Sequence, residues 1–258
     1  MIDVQVEPRG VAWLKLNWPE SKNAMSQALM REVGAAARQF ADDPAVRVIV
    51  LTGACEVFSA GGDLKGMQQQ AANTREGRIA DAREFAGILA RLDSLPKPLV
   101  GRINGSAFGG GLGLISVCDI AIGLADATFR LSEVTLGLIP ATISPYVVAR
   151  IGVPNSRRIF LNAWKLDGQA AARIGLLDEV VSTFEDLDRA VEREITAALM
   201  CAPGAVANAK ELVRYVSTHT VEESFDYSTK ALADAWETAE SREGIDAFFN
   251  KRKPKWQG

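Results

Sequence analysis

Apolar and polar residues alternate in two short runs near the N-terminus. The runs cover Ile2 to Val6 and Val11 to Leu16, and Glu7-Pro8-Arg9-Gly10 between them contains the proline and glycine that tight turns favour. Alternation with a period of two is typical of a strand with one buried face. The pattern therefore predicts that the chain begins with a β-hairpin.

Helical spacing replaces this alternation after Ser26, which is placed to cap a helix that runs to about Phe40. The apolar positions of this helix are Leu29, Met30, Val33, Ala36, Ala37 and Phe40. The apolar run from Val46 to Thr52 predicts a buried strand. A second helix is predicted from Arg75 to about Leu92, before Pro96 and Pro98.

Strand and helix patterns then alternate through the middle of the chain. Leu99 to Ile103 predicts a strand, Gly110 to Val117 a helix, and Asp119 to Gly123 another strand. From about Phe184 to Asn250, several helical patterns follow one another without a strand signal. We predict a layered α/β core over residues 1–183 and a helical region over residues 184–258 of the same structural unit.

Composition narrows the class of protein. The 258 residues are 48% hydrophobic, and 29 basic and 32 acidic residues give a net charge of −3. No run approaches the roughly 18 consecutive apolar residues of a membrane helix, and the N-terminus lacks the features of a secretory signal. Because the basic residues are not concentrated, nucleic acid is a poor candidate partner. We expect a cytoplasmic protein that does not bind membranes.

Cysteine and histidine usage excludes several kinds of site. Cys55, Cys118 and Cys201 lie far apart without a C-x-x-C pair, which argues against a disulfide framework or a thiolate zinc site. His219 is the single histidine and lies in a largely polar stretch. Histidine-based triads and multi-histidine metal sites are nearly excluded, so we expect no metal and no organic cofactor.

Two glycine-rich segments each follow a predicted strand and precede a helical pattern. Residues 58–64 are Phe-Ser-Ala-Gly-Gly-Asp-Leu, and residues 104–111 are Asn-Gly-Ser-Ala-Phe-Gly-Gly-Gly. Adjacent glycines leave backbone N–H groups open to a ligand that carries negative charge. Each segment alone also fits an ordinary packing turn, and the second is not a P-loop because no Lys-Ser or Lys-Thr follows it.

A single carboxylate lies in the apolar run from Leu131 to Pro140. Burial among apolar neighbours raises the pKa of a carboxyl group, which would suit Glu133 to proton transfer near neutral pH. The alternative is a surface glutamate on a short helix capped by Ser132. Together with the glycine segments, Glu133 supplies what is needed to stabilise a thioester enolate and to move a proton.

The order and spacing of these motifs resemble the enoyl-CoA hydratase/isomerase (crotonase) family over nearly the whole chain. The matching residues are Pro19-Glu20, Asn23-Ala24, residues 58–64, Asn104-Gly105, residues 109–111, Cys118-Asp119, Glu133, Leu136-Gly137, Ile139-Pro140, Gly244, Phe248, Phe249, Lys251 and Pro254. The resemblance implies an α/β fold, a crotonase-like spiral of ββα units with a C-terminal helical trimerisation region. It further implies a homotrimer or a hexamer built as a dimer of trimers.

The same resemblance implies roles for individual residues. The backbone N–H groups of Gly62 and Gly110 would form an oxyanion hole, and Glu133 would be the catalytic acid and base. Gly62 replaces the alanine commonest in the family, which should be harmless because only its N–H is used. The implied substrate-binding positions are Asn23, Ala24, Ala60, Asp63, Leu64, Lys65, Gly113 and Lys251. Coenzyme A would be part of the substrate, and no cofactor is implied.

Gly113 departs from the family pattern. The best-known hydratases have a glutamate there, which helps to hold water, so Glu133 alone would also fit the 1,3-proton shift of an isomerase. Residues 141–148 are nevertheless similar to bacterial hydratases of glutaconyl-type esters, such as 3-methylglutaconyl-CoA in leucine breakdown. Hydration of such a branched or dicarboxylic enoyl-CoA is the favoured expectation. An isomerase, or a non-catalytic acyl-CoA-binding or RNA-associated member, is the alternative.

A dicarboxylic acyl group calls for a cation in the binding site. Arg75, Arg78 and Arg83 lie in the predicted helix after the first glycine segment. An arginine can bind a carboxylate through two parallel hydrogen bonds. The alternative is that these arginines form a solvated helix face.

Overall fold

The computed structural model describes residues 1–258, except for the side chain of Leu64. In this described part, the strands are β1 (Ile2–Val6), β2 (Val11–Leu16), β3 (Val48–Gly53), β4 (Val57–Ser59), β5 (Leu99–Ile103), β6 (Ser106–Phe108), β7 (Ile120–Leu124), β8 (Phe129–Arg130) and β9 (Glu179–Val181). The helices are α1 (Gln27–Asp42), α2 (Leu64–Ala72), α3 (Arg75–Asp93), α4 (Gly110–Ser116), α5 (Ser144–Phe160), α6 (Gly168–Arg173), α7 (Phe184–Leu199), α8 (Pro203–Val216), α9 (Val221–Trp236) and α10 (Ala239–Phe249). Short 3₁₀ turns cover Pro19–Ser21, Glu133–Leu136 and Lys255–Gln257.

The longer predicted elements are confirmed. The hairpin β1–β2 and strand β5 have the predicted bounds, and the Ser26 hydroxyl accepts a hydrogen bond from Leu29 N–H at 3.1 Å as the cap of α1. β3, β7, α3 and α4 differ from their predicted bounds by one or two residues. Sequence patterns missed the short strands β4, β6, β8 and β9, because two or three residues are too few to display a period.

Successive strands alternate between two sheets. The larger sheet has the order β1-β2-β3-β5-β7-β9 and is parallel except for the β1–β2 pair, whereas the smaller sheet, β4-β6-β8, is parallel throughout. The consecutive pairs β3–β4, β5–β6 and β7–β8 each place one strand in each sheet before the chain enters a helix. The chain therefore repeats a ββα unit, as predicted.

Helices α1 and α3 pack closely against each other beside the larger sheet. Gly34 makes this approach possible, since a β-carbon there would lie 2.9 Å from Ile88 Cγ1. Phe40 of α1 and Leu89 and Leu92 of α3 are fully buried, and each buried side chain of this size stabilises the fold by about 1.5–3 kcal/mol. The close packing fixes the face of α3 that carries Phe85 and Ile88.

The C-terminal helices differ in how much apolar surface they bury. Helix α7 buries Leu187, Ala190, Val191 and Ile195 and packs on β5 and β7. Helices α8, α9 and α10 expose large apolar side chains, including Val213, Phe225, Leu232, Trp236, Phe248 and Phe249. Exposed apolar surface of this extent is typical of a protein contact. The division of the chain at residue 184 stays a prediction, and by its packing α7 belongs with the core.

Two kinds of feature are absent from the described residues. None of the helices there combines the length and the apolar character needed to cross a membrane. No group of three or more His, Cys, Asp or Glu side chains in the described part is arranged to hold a metal ion. The cytoplasmic location and the lack of a cofactor stay predictions.

Candidate active site

Three loops meet at one edge of the smaller sheet. β4 leads into residues 60–62, β6 into residues 109–110, and β8 into residues 131–133. Because β4, β6 and β8 are parallel neighbours, their carboxyl ends lie along the same edge. Such an edge is where ligands of parallel sheets usually bind. The topology therefore brings both glycine segments together with Glu133.

The first loop exposes the N–H group of Gly62. Gly61 has a φ of 87°, and a β-carbon there would lie 2.9 Å from Phe108 O, so the close approach of the two loops requires glycine. Met25 N–H donates to Gly61 O at 2.7 Å, which fixes the loop against the segment before α1. Gly62 N–H has no acceptor among the described residues.

The second loop turns sharply into α4. Gly109 has a φ of 51°, and its N–H donates to Arg130 O at 2.9 Å. A β-carbon on Gly109 would lie 3.8 Å from Gly61 Cα, so the two loops are in contact. Gly110 N–H, like that of Gly62, has no acceptor in the described part of the chain. Two adjacent free donors are the arrangement that stabilises an oxyanion.

Glu133 begins the 3₁₀ turn after β8 and directs its carboxylate toward the second loop. Its Oε1 would lie 3.1 Å from a β-carbon on Gly109. Its Oε2 is buried and has no hydrogen-bond partner among the described residues. Burial raises the pKa of the Glu133 carboxyl, and hydrogen bonds from the backbone of Glu133 and Ser132 oppose part of this rise. A carboxyl group without an ion-pair partner is suited to proton exchange.

Gly62, Gly110 and Glu133 line one cavity of about 610 Å³. The wall is mainly apolar and includes Met25, Met67, Phe85, Ile88, Ile139 and Ile143. A concave apolar space of this size with a few polar groups is typical of a small-molecule site. This cavity is the candidate active site.

Similar proteins match this chain over almost its full length. The family profile described as Enoyl-CoA hydratase/isomerase matches residues 7–258. A Rhizobium meliloti protein named probable enoyl-CoA hydratase is 33% identical over 254 residues, covering 98% of this chain and 96% of that protein. Among solved structures, an enoyl-CoA hydratase from Shewanella pealeana has a TM-score of 0.95 and 35% identity, covering 99% of this chain and 95% of that one. Pseudomonas aeruginosa AtuE has a TM-score of 0.95 and 37% identity, and the match covers 100% of this chain and 99% of that one.

The chain belongs to the enoyl-CoA hydratase/isomerase family. This membership confirms the resemblance that the motifs predicted. The predicted crotonase-like α/β spiral of ββα units is confirmed by the structural matches. The protein is therefore an enzyme of this family.

In this family member, Asn23 and Ala24 lie outside the cavity wall and support the first loop. Asn23 is fully buried, and its Oδ1 accepts a hydrogen bond from Trp18 N–H at 2.9 Å. Its Nδ2 donates to Val57 O and Phe58 O at 3.2 Å. Ala24 is buried beside it. Asn23 thus holds the chain before α1 against β4, and the predicted CoA contacts of both residues stay predictions.

The other residues predicted to bind CoA are dispersed. Ala60 lines the cavity, whereas Asp63 caps α2 by accepting a hydrogen bond from a backbone N–H at 2.8 Å. Lys65 on α2 and Lys251 just after α10 are exposed and outside the cavity wall. The side chain of Leu64 lies outside the described residues. A role for each in CoA binding stays a prediction.

Gly113 lies behind the cavity wall. A β-carbon on Gly113 would lie 2.3 Å from Ile143 Cγ2 and 2.9 Å from Ile143 Cβ. Gly113 is buried, and Ile143 lines the cavity in front of it. Gly113 therefore lies outside the cavity wall behind Ile143, and its predicted contact with the substrate stays a prediction. The same packing leaves no room for a glutamate side chain at position 113.

Of the three arginines considered for a distal carboxylate, Arg78 lines the cavity. Its Nε donates to Gln70 O at 2.7 Å and its Nη2 to Ala71 O at 3.0 Å, so the guanidinium is held near the end of α2. Arg75 and Arg83 are exposed on α3 outside the wall of the cavity. Arg78 is therefore the cation that is best placed to meet a substrate.

Much of the apolar wall was not predicted from sequence. Met25 precedes the cap of α1, and its Cε would lie 2.0 Å from a β-carbon on Gly110. Phe85 and Ile88 are three apart on α3 and both line the cavity. Their spacing indicates a shared helix face, but it does not indicate that this face meets the glycine loops.

Proposed function

We propose that this protein is a hydratase that adds water across the 2,3 double bond of an enoyl-CoA thioester. The observation that carries the proposal is the convergence of two free backbone N–H groups, from Gly62 and Gly110, and the unpaired carboxylate of Glu133 on one cavity. The N–H groups would bind the thioester oxygen, and Glu133 would be the acid and base. Coenzyme A would enter as part of the substrate, without a separate cofactor.

One carboxylate is sufficient to balance this reaction. Glu133 takes a proton from water as the water oxygen bonds to C3. The electrons of the 2,3 double bond then shift toward the thioester to form an enolate, and Gly62 and Gly110 N–H stabilise its oxyanion. Glu133 gives the proton to C2 and the thioester carbonyl forms again. One water is added, and the carboxylate is regenerated.

The contact between Ile143 and Gly113 is the observation that supports a second candidate function, an isomerase. Without a second carboxylate at position 113, Glu133 would take a proton from C2 of a 3-enoyl-CoA and return it to C4. We favour the hydratase because relatives at about one-third identity carry that name. A non-catalytic acyl-CoA-binding role is less consistent with an unpaired buried carboxyl group, which is costly unless it has a function.

The deciding experiment is mass spectrometry of the CoA esters after incubation with crotonyl-CoA and with 3-methylglutaconyl-CoA. A hydratase adds the mass of one water, and the Glu133→Gln variant does not. Conversion of a 3-enoyl-CoA to its 2-enoyl isomer, with no mass gain from either 2-enoyl ester, would establish the isomerase instead. No conversion of any of the three esters would support the non-catalytic role.

Replacing Gly62 by proline is expected to lower kcat/KM by about 10²–10³-fold, because proline removes the N–H group. The matched control is Gly62→Ala, which keeps the N–H and places a methyl group 3.6 Å from Met67 Sδ, an ordinary contact. We expect the alanine variant to stay within about threefold of wild type. Equal losses in the two variants, with unchanged thermal unfolding, would contradict a role for this N–H.

We further propose a branched or dicarboxylic acyl group, with 3-methylglutaconyl-CoA as the leading substrate. The position of Arg78 at the cavity supports a distal carboxylate, because the hydrogen bonds to Gln70 O and Ala71 O pre-orient the guanidinium. The remaining wall is mainly apolar, which suits the hydrocarbon part of the acyl group.

Arg78→Gln is expected to raise KM for 3-methylglutaconyl-CoA by about tenfold and to leave KM for crotonyl-CoA nearly unchanged. One charge-assisted hydrogen bond stabilises by about 1.5–3 kcal/mol, which sets this size. Arg83→Gln is the matched control, because Arg83 lies on the same helix outside the cavity wall. Equal changes for the anionic and the neutral ester would show that Arg78 does not bind the carboxylate.

For the assembly, we propose a homotrimer or a hexamer formed as a dimer of trimers. The exposed apolar side chains of α8, α9 and α10 support a contact between copies of the chain. We propose the cytoplasm as the location. Analytical ultracentrifugation of the full chain measures the assembly directly.

A further inference from the structure

The contact between Ile143 and Gly113 lies close to the proposed acid-base residue. Gly109 is the N-cap of α4 and Gly113 lies in its first turn, four residues later, so the two residues are about one 5.4 Å turn apart along the chain's entry into the helix. Glu133 Oε1 lies next to Gly109, and Ile143 Cγ2 covers Gly113. The carboxylate and the apolar side chain therefore contact positions about one turn apart at the start of α4, and both line the same cavity.

This arrangement leaves an apolar surface where the acyl group reacts. Ile143 is 2% exposed and is held by its contact with Gly113, with Leu89 Cδ1 lying 3.8 Å from the same β-carbon position. Phe85 and Ile88 of α3 continue the apolar wall. Because Glu133 must reach C2 and C3 to move the proton and the water, groups attached to C3 lie within reach of Ile143.

We infer that Ile143 is a specificity-determining residue that favours enoyl-CoA thioesters with an alkyl branch on C3. The inference rests on the proposed hydratase function and names the substrate class of the same site. A methyl group on C3 is shielded from water when it packs against Ile143, and this burial stabilises the bound ester. A hydrogen at the same position makes no such contact. Since the side chain is 2% exposed and packs against Gly113, it cannot move freely to fill the gap.

The test compares kcat/KM for 3-methylcrotonyl-CoA and crotonyl-CoA, two neutral esters that differ by one methyl group, so that Arg78 plays no part. Wild type should favour the branched ester. Ile143→Ala should lower the ratio of the two values by about tenfold, the usual effect of one methylene in an apolar pocket. Ile143→Val keeps Cγ2 over Gly113, so its ratio should stay near that of wild type.

Two further variants separate specificity from a general loss of packing. Ile143→Leu keeps the size of the side chain but moves its branch away from Cβ, so it should lower the ratio. This variant keeps the test available if Ile143→Ala does not fold. Ile88→Ala enlarges the cavity elsewhere on its wall and should change both rates alike. A ratio that Ile143→Ala and Ile143→Leu leave unchanged, or that Ile88→Ala lowers as much, would overturn the inference.

The same assay distinguishes failure of the inference from failure of the proposed function. Hydration of both esters by wild type, with a ratio that does not depend on Ile143, overturns the inference alone. Hydration of neither ester and of no glutaconyl ester overturns the proposed function, and the inference with it.

Discussion

Replacing Glu133 by glutamine is expected to lower kcat/KM by about 10³-fold, because it removes the group that both takes the proton from water and returns it to C2. The amide is close in size to the carboxylate, so the cavity and both free N–H groups are kept. Initial rates with an enoyl-CoA ester measure the effect. A loss of less than tenfold would show that another group moves the proton.

The same replacement is expected to stabilise the fold at neutral pH. Burial raises the pKa of Glu133, so the folded state binds this proton more tightly than the unfolded chain does. The stability associated with the proton is fully present below the unfolded-state pKa and is lost as pH rises through the folded-state pKa. Glutamine cannot ionise and avoids this loss. A higher unfolding midpoint is expected near neutral pH, with little difference in acid, and thermal unfolding at the two pH values measures it.

Glu84→Gln is the matched control for both effects. Glu84 lines the same cavity, but it binds the Arg31 guanidinium at 2.7 Å, and this contact lowers the pKa of its carboxyl. We expect this variant to keep its activity and to gain no stability at neutral pH. A similar loss of activity in the two variants would indicate a general effect of charge in the cavity and would contradict a specific role for Glu133.

The larger features of the fold could be predicted because each carries a repeated local signal. The alternation in residues 2–16 is long enough to indicate the hairpin, and Ser26 marks the start of α1 through its side-chain chemistry. The glycine segments and Glu133 were identified because their chemistry is unusual for buried chain. Their meeting follows from the parallel order of β4, β6 and β8, although those strands are too short to be predicted from sequence.

The cavity wall could not be predicted, because it depends on contacts between distant parts of the chain. Ile143 and Gly113 are thirty residues apart, and Met25 meets Gly110 across an even longer separation. The resemblance implies that Asn23 binds CoA, which stays a prediction, and the structure adds that its amide holds two carbonyl groups of β4. A single sequence does not distinguish a side chain that positions a loop from one that binds a ligand. The hydrogen bonds and packing of the side chain are needed to identify its structural role.

Introducing a glutamate at position 113 is expected to destabilise the fold strongly, because its β-carbon alone would collide with Ile143. Overpacking of this kind costs about 1–3 kcal/mol, and a carboxylate placed in an apolar wall adds to the cost. Gly87→Glu is the control, since a β-carbon at Gly87 has nothing within 4 Å and glycine is a poor helix residue. We expect the control to be neutral or slightly stabilising in urea unfolding.

Ile143→Gly should relieve the collision, because it removes both Cγ2 and Cβ from the space above Gly113. The glutamate should then cost about 1–3 kcal/mol less in the Ile143→Gly background than in wild type, which a double-mutant cycle measures as a coupling energy. With room for a second carboxylate beside Glu133, the double variant should also hydrate crotonyl-CoA faster than Ile143→Gly alone. Equal costs of the glutamate in the two backgrounds would show that Ile143 is not what keeps position 113 a glycine. A coupling energy of the expected sign would mean that one packed isoleucine both lines the cavity and keeps position 113 free of a second carboxylate beside Glu133.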